Sequence, residues 1–143
     1  MSISPTRYRK TSSSLAFLLC LALWAQESSS VWNGVYTKEQ ASRGEAIYAA
    51  ECARCHGTSL TGGESAPPLA GGDFLSNWNG LTVGDLFERI RTTMPADRPG
   101  SFGRESNVSA LAYLLSMSQF PAGPTELPRQ TEMLKQIRIE PKR

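Results

Sequence analysis

Three stretches of the chain place apolar residues at three- and four-residue spacing, the signature of helices with one buried face. In the first, Ala41, Gly44, Tyr48, Cys52 and Cys55 share a face. Thr37-Lys38-Glu39-Gln40 precedes them with the T-x-x-Q form of a capping box, which predicts a helix from Lys38 to about Cys52. In the second, Val83, Leu86, Phe87 and Ile90 form a stripe behind Thr82, with Asp85 three residues on, and a short helix to about Arg91 is expected. In the third, Val108, Leu111, Ala112 and Leu115 line one stripe, widened by Tyr113 and Leu114, over roughly Arg104 to Met117. A glycine inside a helix, such as Gly44, costs about 1 kcal/mol against alanine. Close approach of another helix, with Tyr48 packing beside it, is a physical reason to keep it.

The connections are rich in glycine and proline. Gly57 to Gly72 reads as a loop, with Gly57, Gly62, Gly63, Gly71, Gly72 and the pair Pro67-Pro68. No strand precedes it and no Lys-Ser/Thr ends it, so phosphate cradling is poorly supported; glycines also let a chain wrap closely around a flat cofactor. Pro95 pushes Met94 out of helical geometry into an extended conformation. Val31 to Tyr36 is expected to be a lead-in strand packed on the body, a better fit than a binding motif. Prolines 121, 124 and 128 and Gly123 break the helical pattern after the third helix. Thr125 to Arg143 carries Leu127, Leu134, Ile137 and Ile139 among charges, a marginal amphipathic helix that leaves docked and disordered tails equally open.

Basic residues cluster near the N-terminus. Arg7, Arg9 and Lys10 precede an unbroken apolar run from Leu15 to Trp24, and Ala25 offers a small residue at a cleavage position, although Leu23 departs from an A-x-A pattern. These features predict a secretory signal peptide over 1–25. A membrane anchor is the alternative, but the run is about half of the ~20 residues a spanning helix requires. A lipid anchor on Cys20 is disfavoured by Leu19, which is not small. Cleavage would remove three of the 15 basic residues and none of the 13 acidic ones, turning the nominal +2 into −1. That excludes a basic nucleic-acid-binding protein. The resulting organisation is a leader over 1–25, a linker and lead-in over 26–37, a domain over 38–120 and a proline-containing tail over 121–143.

The strongest chemical signal is Cys52-Ala53-Arg54-Cys55-His56. C-x-x-C-H is the attachment pattern of c-type haem: each thiol bonds one vinyl group, and the tethered histidine reaches the iron. A zinc site needs about four ligands, and beyond these three the chain offers only Cys20 in the leader and no second histidine. A dithiol redox motif would need a βαβ context that the pattern lacks. One motif and one histidine imply one haem. With His56 as the sole histidine, bis-histidine ligation within the chain is excluded. Met117 falls in a helix and Met133 in the tail, so Met94 is the loop-placed methionine able to close the other face of the iron.

In order, a helix with Gly44 and Tyr48, then Cys52 to His56, Pro67-Pro68-Leu69, Met94-Pro95 and a helix with Tyr113 resemble class I (monohaem) cytochrome c across Lys38 to Ser118. The resemblance implies a small all-α fold, several helices wrapped around one covalently bound haem c. It implies Cys52 and Cys55 as thioether attachments, His56 and Met94 as iron ligands, and a Pro67 carbonyl that accepts a hydrogen bond from His56. Trp78 resembles an aromatic beside the haem propionates. Gly44, Tyr48 and Tyr113 resemble the contact between first and last helices. Ala66 stands where the family usually has glycine, and Gly103 where serine or threonine commonly caps the last helix.

Histidine–methionine ligation closes the iron to small molecules and suits electron transfer. The expected function is an exported, periplasmic or otherwise extracytoplasmic, single-electron carrier rather than an enzyme. Its partners would be redox proteins, a dehydrogenase donor or a terminal oxidase acceptor. Membrane association is expected only if the leader stays uncleaved. The lead-in, the Gly-Gly-rich middle and the proline-rich exit resemble cytochrome domains that accompany quinoprotein dehydrogenases. A gas-binding or sensing haem protein, with a labile sixth ligand, is the competing class. A haem peroxidase fits less well, because no histidine is left for distal acid–base work.

Overall fold

The computed structural model describes residues 29–64 and 66–142, together with Met1. The expected leader and most of the polar linker lie outside the described residues. The fold is helical, as expected of a small all-α cytochrome c fold. Among the described residues six α-helices run in order: α1 Lys38–Glu51, α2 Ala53–His56, α3 Gly71–Trp78, α4 Val83–Thr93, α5 Arg104–Met117 and α6 Thr131–Leu134. Two short strands, β1 Ser29–Ser30 and β2 Ile137–Arg138, pair in parallel. No helix among the described residues is long and apolar enough to cross a membrane.

Local chemistry starts the main helices where the pattern places them. The Thr37 hydroxyl accepts from the Gln40 N–H, capping α1. The reciprocal half of the expected box is absent, because the Gln40 side chain is used elsewhere: its Nε2 donates to Leu127 O at 3.1 Å and its Oε1 accepts from Leu127 N at 2.8 Å. At α4 the box is complete, with the Thr82 hydroxyl accepting from Asp85 N and the Asp85 carboxylate accepting from Thr82 N. Gly103 gives α5 no side-chain cap; Asn107, one turn inside, donates to the Phe102 and Gly103 carbonyls instead. Those bonds tie the backbone ahead of α5 to its first turn.

Helices α1 and α5 cross at the glycine. A Cβ on Gly44 would lie 1.8 Å from Ser109 O, so only a residue without one permits this approach. Tyr48 and Tyr113 meet beside it with ring centroids 5.3 Å apart. The main core lies on one side of this pair and includes Val31, Phe74, Phe87, Leu111, Leu115 and Leu127, Leu134 and Ile139 of the tail.

Two local expectations change, and one left open is decided. Val31 to Tyr36 is not a strand: Val31–Asn33 is one turn of 3-10 helix capped by the Ser30 hydroxyl, although it packs on the body as expected, with Val31 and Tyr36 buried. Gly71 and Gly72 do not end a loop but open α3, which forms because Phe74 buries one of its faces. The tail is docked: Leu127, Leu134, Ile137 and Ile139 are buried, and the Ser29 N–H donates to Gln136 O at 2.8 Å.

Candidate haem site

Helix α1 delivers the cysteine–histidine segment directly. The Cys52 N–H still donates to Tyr48 O, and the His56 and Cys55 N–H groups donate to Cys52 O, so the segment is wound as the short helix α2. Winding of this kind turns Cys52 and Cys55 to neighbouring sides of one turn. Cys52 is half-buried, Cys55 is exposed, and neither is in a disulfide. Burial, with Glu51 beside it, pushes the Cys52 thiol pKa up.

His56 is buried and fixed by one hydrogen bond. Its Nδ1 lies 2.8 Å from the Pro67 carbonyl oxygen, which can only accept, so Nδ1 carries the proton. In the neutral ring Nε2 then presents its lone pair. The loop that brings Pro67 here is folded tightly. Gly62 N donates to His56 O at 2.9 Å, Gly63 N to Ala66 O at 2.9 Å and Leu69 N to Leu60 O at 2.8 Å. Gly62 has φ +77°, and a Cβ there would lie 2.6 Å from Ala66 O, so the reversal requires glycine. The Tyr48 hydroxyl donates to Gly57 O at 2.7 Å; burial and the neighbouring Cys52 push its pKa up to about 12.

Met94 ends α4. Its N–H closes the last helical turn on Ile90 O, and its backbone is extended at φ −119°, ψ 150°, ahead of a cis Pro95. This is the geometry the following proline favours. The loop beyond returns to the cysteine segment through two ion pairs, Arg54 to Asp97 and Arg98 to Glu51. Arg54 holds the Asp97 carboxyl below the usual carboxylate range. The four charged residues were not singled out from the pattern, because nothing local to either stretch specifies its partner.

The structure therefore joins Cys52, Cys55, His56, Pro67 and the Met94 loop into one neighbourhood. Trp78 is half-buried against the main core, with its ring centroid 6.4 Å from that of Phe74. A second apolar cluster lines the cysteine side, centred on Tyr48, Leu60 and Leu114, with Cys52, Ala53, Leu69, Ala70 and Ile90 partly buried against it. Leu60 and Ile90 were not recognisable as site residues, since their patterns mark burial and not what covers them.

A small helical fold around a C-x-x-C-H turn, with its histidine held on a proline carbonyl, is that of a c-type cytochrome. A model of the family described as Cytochrome C oxidase, cbb3-type, subunit III matches residues 39–114, and the chain belongs to that family. It is a c-type cytochrome, a class that carries covalently bound haem c. Among solved structures, the chain is similar to one in the crystal structure of the sulfane dehydrogenase SoxCD from Paracoccus pantotrophus. The two share 19% identity at a TM-score of 0.50, over 76% of this chain and 61% of that one. No curated protein matches the chain.

The residues present fit a haem. His56 is the sole histidine and is already oriented by Pro67, which leaves one imidazole nitrogen for iron. Two cysteines at the required spacing are free, and Cys52, Leu69 and Ala70 leave apolar surface incompletely covered beside them. Cys52 and Cys55 could hold the porphyrin, and His56 and Met94 could hold the iron.

Proposed function

We propose that Cys52 and Cys55 form the two thioether bonds, that His56 and Met94 are the axial ligands, and that the chain is an exported one-haem electron carrier. The observation that carries this reading is the hydrogen bond from His56 Nδ1 to Pro67 O. Such a bond fixes the tautomer and ring orientation and raises the basicity of the ligating nitrogen. The extended backbone of Met94 at the end of α4 supports its part. The haem iron supplies the Fe(II)/Fe(III) couple. The chain's own work is to hold both ligands through that change and to keep water and small molecules from the iron.

The partner class proposed is a periplasmic dehydrogenase acting as electron donor. It rests on the resemblance to cytochromes that accompany quinoprotein dehydrogenases; the likeness to SoxCD is one of fold. Trp78 is proposed to reach the propionate edge from α3. The leader over 1–25 fits export, since haem c is joined outside the cytoplasm.

Optical and EPR spectra of the oxidised and reduced protein test the ligands together. The expected result is haem retained after denaturation, a reversible one-electron couple, and negligible CO binding to the reduced protein at neutral pH. Met94→Ala is expected to lower the potential and admit CO. Rapid CO binding by the unaltered protein would overturn Met94 ligation in favour of a gas-binding role. Enhanced reduction by, or copurification with, a dehydrogenase supports the donor assignment. A lone monomer that no such enzyme reduces faster than free chemical reductant overturns it.

A further inference from the structure

Glu51 and Arg54 flank Cys52, and Asp97 and Arg98 follow Met94 within four residues. The four pair across the site with crossed polarity. Arg54 Nη2 lies 2.6 Å from Asp97 Oδ1, and Arg98 Nη2 pairs with Glu51 Oε2. Each segment thus offers one cation and one anion, so a shift in register would set like charges together. The Arg98 guanidinium also lies 5.4 Å from the Phe102 ring centroid, and the Arg98 backbone N–H donates to Pro95 O at 3.0 Å. Among the described residues, no other hydrogen bond or ion pair joins residues 94–101 to residues 51–57.

We propose that this crossed couple of ion pairs is a latch that positions Met94. It ties the loop beyond Met94 to the haem-attachment segment and so sets how readily an external ligand displaces the Met94 thioether. The inference rests on the reading of Met94 as an axial ligand. Glu51, Arg54, Asp97 and Arg98 are positioning residues, and none of them touches the iron in this scheme. In such an exchange a neutral imidazole nitrogen would replace the Met94 thioether, with no change of oxidation state and no net proton. The latch opposes that exchange because displacement of Met94 loosens the loop the pairs hold.

Both pairs are partly solvated, with side-chain exposures of 52% and 51% for Arg54 and Asp97 and 44% and 30% for Arg98 and Glu51. Such pairs are individually weak and are screened by salt over a Debye length of about 8 Å at physiological ionic strength. The latch is therefore tunable by ionic strength, and by any partner whose charges compete for it.

The test is an optical titration of the oxidised holoprotein with imidazole, at low and high salt. Each pair lost is expected to tighten imidazole binding about three-fold, so Asp97→Asn with Arg98→Gln gives roughly ten-fold. Salt is expected to tighten binding to the unaltered protein and to leave that double variant nearly unchanged. The charge swap Arg54→Asp with Asp97→Arg is expected to recover much of the original resistance. General loosening would instead lower the thermal midpoint in step with affinity and keep the salt response. Unchanged affinity and salt response in the double variant overturn the latch while the methionine-to-iron absorption band of the unaltered protein upholds ligation. Absence of that band from the unaltered protein overturns both.

Discussion

The two sides of the α1–α5 pair are built by different means. On the side of the tail, Val31, Phe87, Leu111, Leu115, Leu134 and Ile139 are buried almost completely against one another. On the side of the cysteines only Tyr48, Leu60 and Leu114 are buried in the apolar cluster, while Cys52, Leu69, Ala70 and Ile90 are half-covered. What gives that side its shape is polar: the His56–Pro67 bond, the Tyr48–Gly57 bond, backbone bonds around Gly62 and the ion pairs to the Met94 loop. Apolar side chains drive folding wherever they bury surface. Hydrogen bonds at a surface exchange with water and contribute little net driving force. The tail side therefore supplies its own core, and the cysteine side is shaped around the haem. Small domains often complete their core with a cofactor in this way.

The largest effect should come from removing that group. Cys52→Ser with Cys55→Ser is expected to yield protein without covalent haem, with stability reduced more than by either substitution below. Hydrogen exchange should lose protection first over 57–70 and 95–102, with the residual protection in α4, α5 and the tail, because opening follows local burial. Equal loss on both sides would break the comparison.

The same contrast explains what could be read from the chain. Thr37, Thr82 and Asp85 announce their helices because capping is a contact over three residues. Pro95 announces the conformation of Met94 because the restriction acts on the adjacent residue. Gly44 signals a close helix crossing, and Ser109 proves to be the partner. Cys52 to His56 carries its chemistry in five consecutive residues. What was not legible depends on distant partners. Helix α3 begins at two glycines without a side-chain cap and exists because Phe74 finds the main core. The lead-in turns instead of extending because the Ser30 hydroxyl caps Trp32 N. The choice between docked and disordered tail depends on contacts as distant as that of Gln40 with Leu127, across 87 positions of chain. The ion pair from Glu51 to Arg98 spans 47 positions, with no local pattern to declare it.

Gln40 sharpens the comparison from the tail side. It is buried, and both bonds it makes are to the backbone of Leu127. Gln40→Ala leaves a buried N–H and a buried C=O without partners and opens a void. Unsatisfied groups cost about 1–3 kcal/mol each when water cannot reach them. A loss of about 3 kcal/mol in denaturant-induced unfolding is expected, with exchange at 127–139 raised before exchange at 57–70. A cost under about 1 kcal/mol would mean that apolar burial alone docks the tail.

Glu88 gives the smallest effect and the one with a definite pH signature. Its carboxylate accepts from Arg91 and from the Thr131 hydroxyl at 2.6 Å, so it bridges α4 to α6. These donors, Arg91 first, hold its pKa down at about 2 against an ordinary 4.5. A carboxyl depressed in the folded state contributes stability that is fully present above its unfolded pKa and is lost as pH falls through the folded one. The side chain is 30% exposed and screened by solvent, so the net contribution should be about 1 kcal/mol. Glu88→Gln keeps the shape and an oxygen able to accept from Thr131, and removes the charge. The stability difference between the two proteins should be constant above about pH 5 and shrink as pH falls from about 4.5 toward 2. Measured by denaturant titration, a difference that stays constant through that window would assign the bridge to shape rather than charge. The link between α4 and α6 would then rest on shape and burial and not on the Glu88 charge.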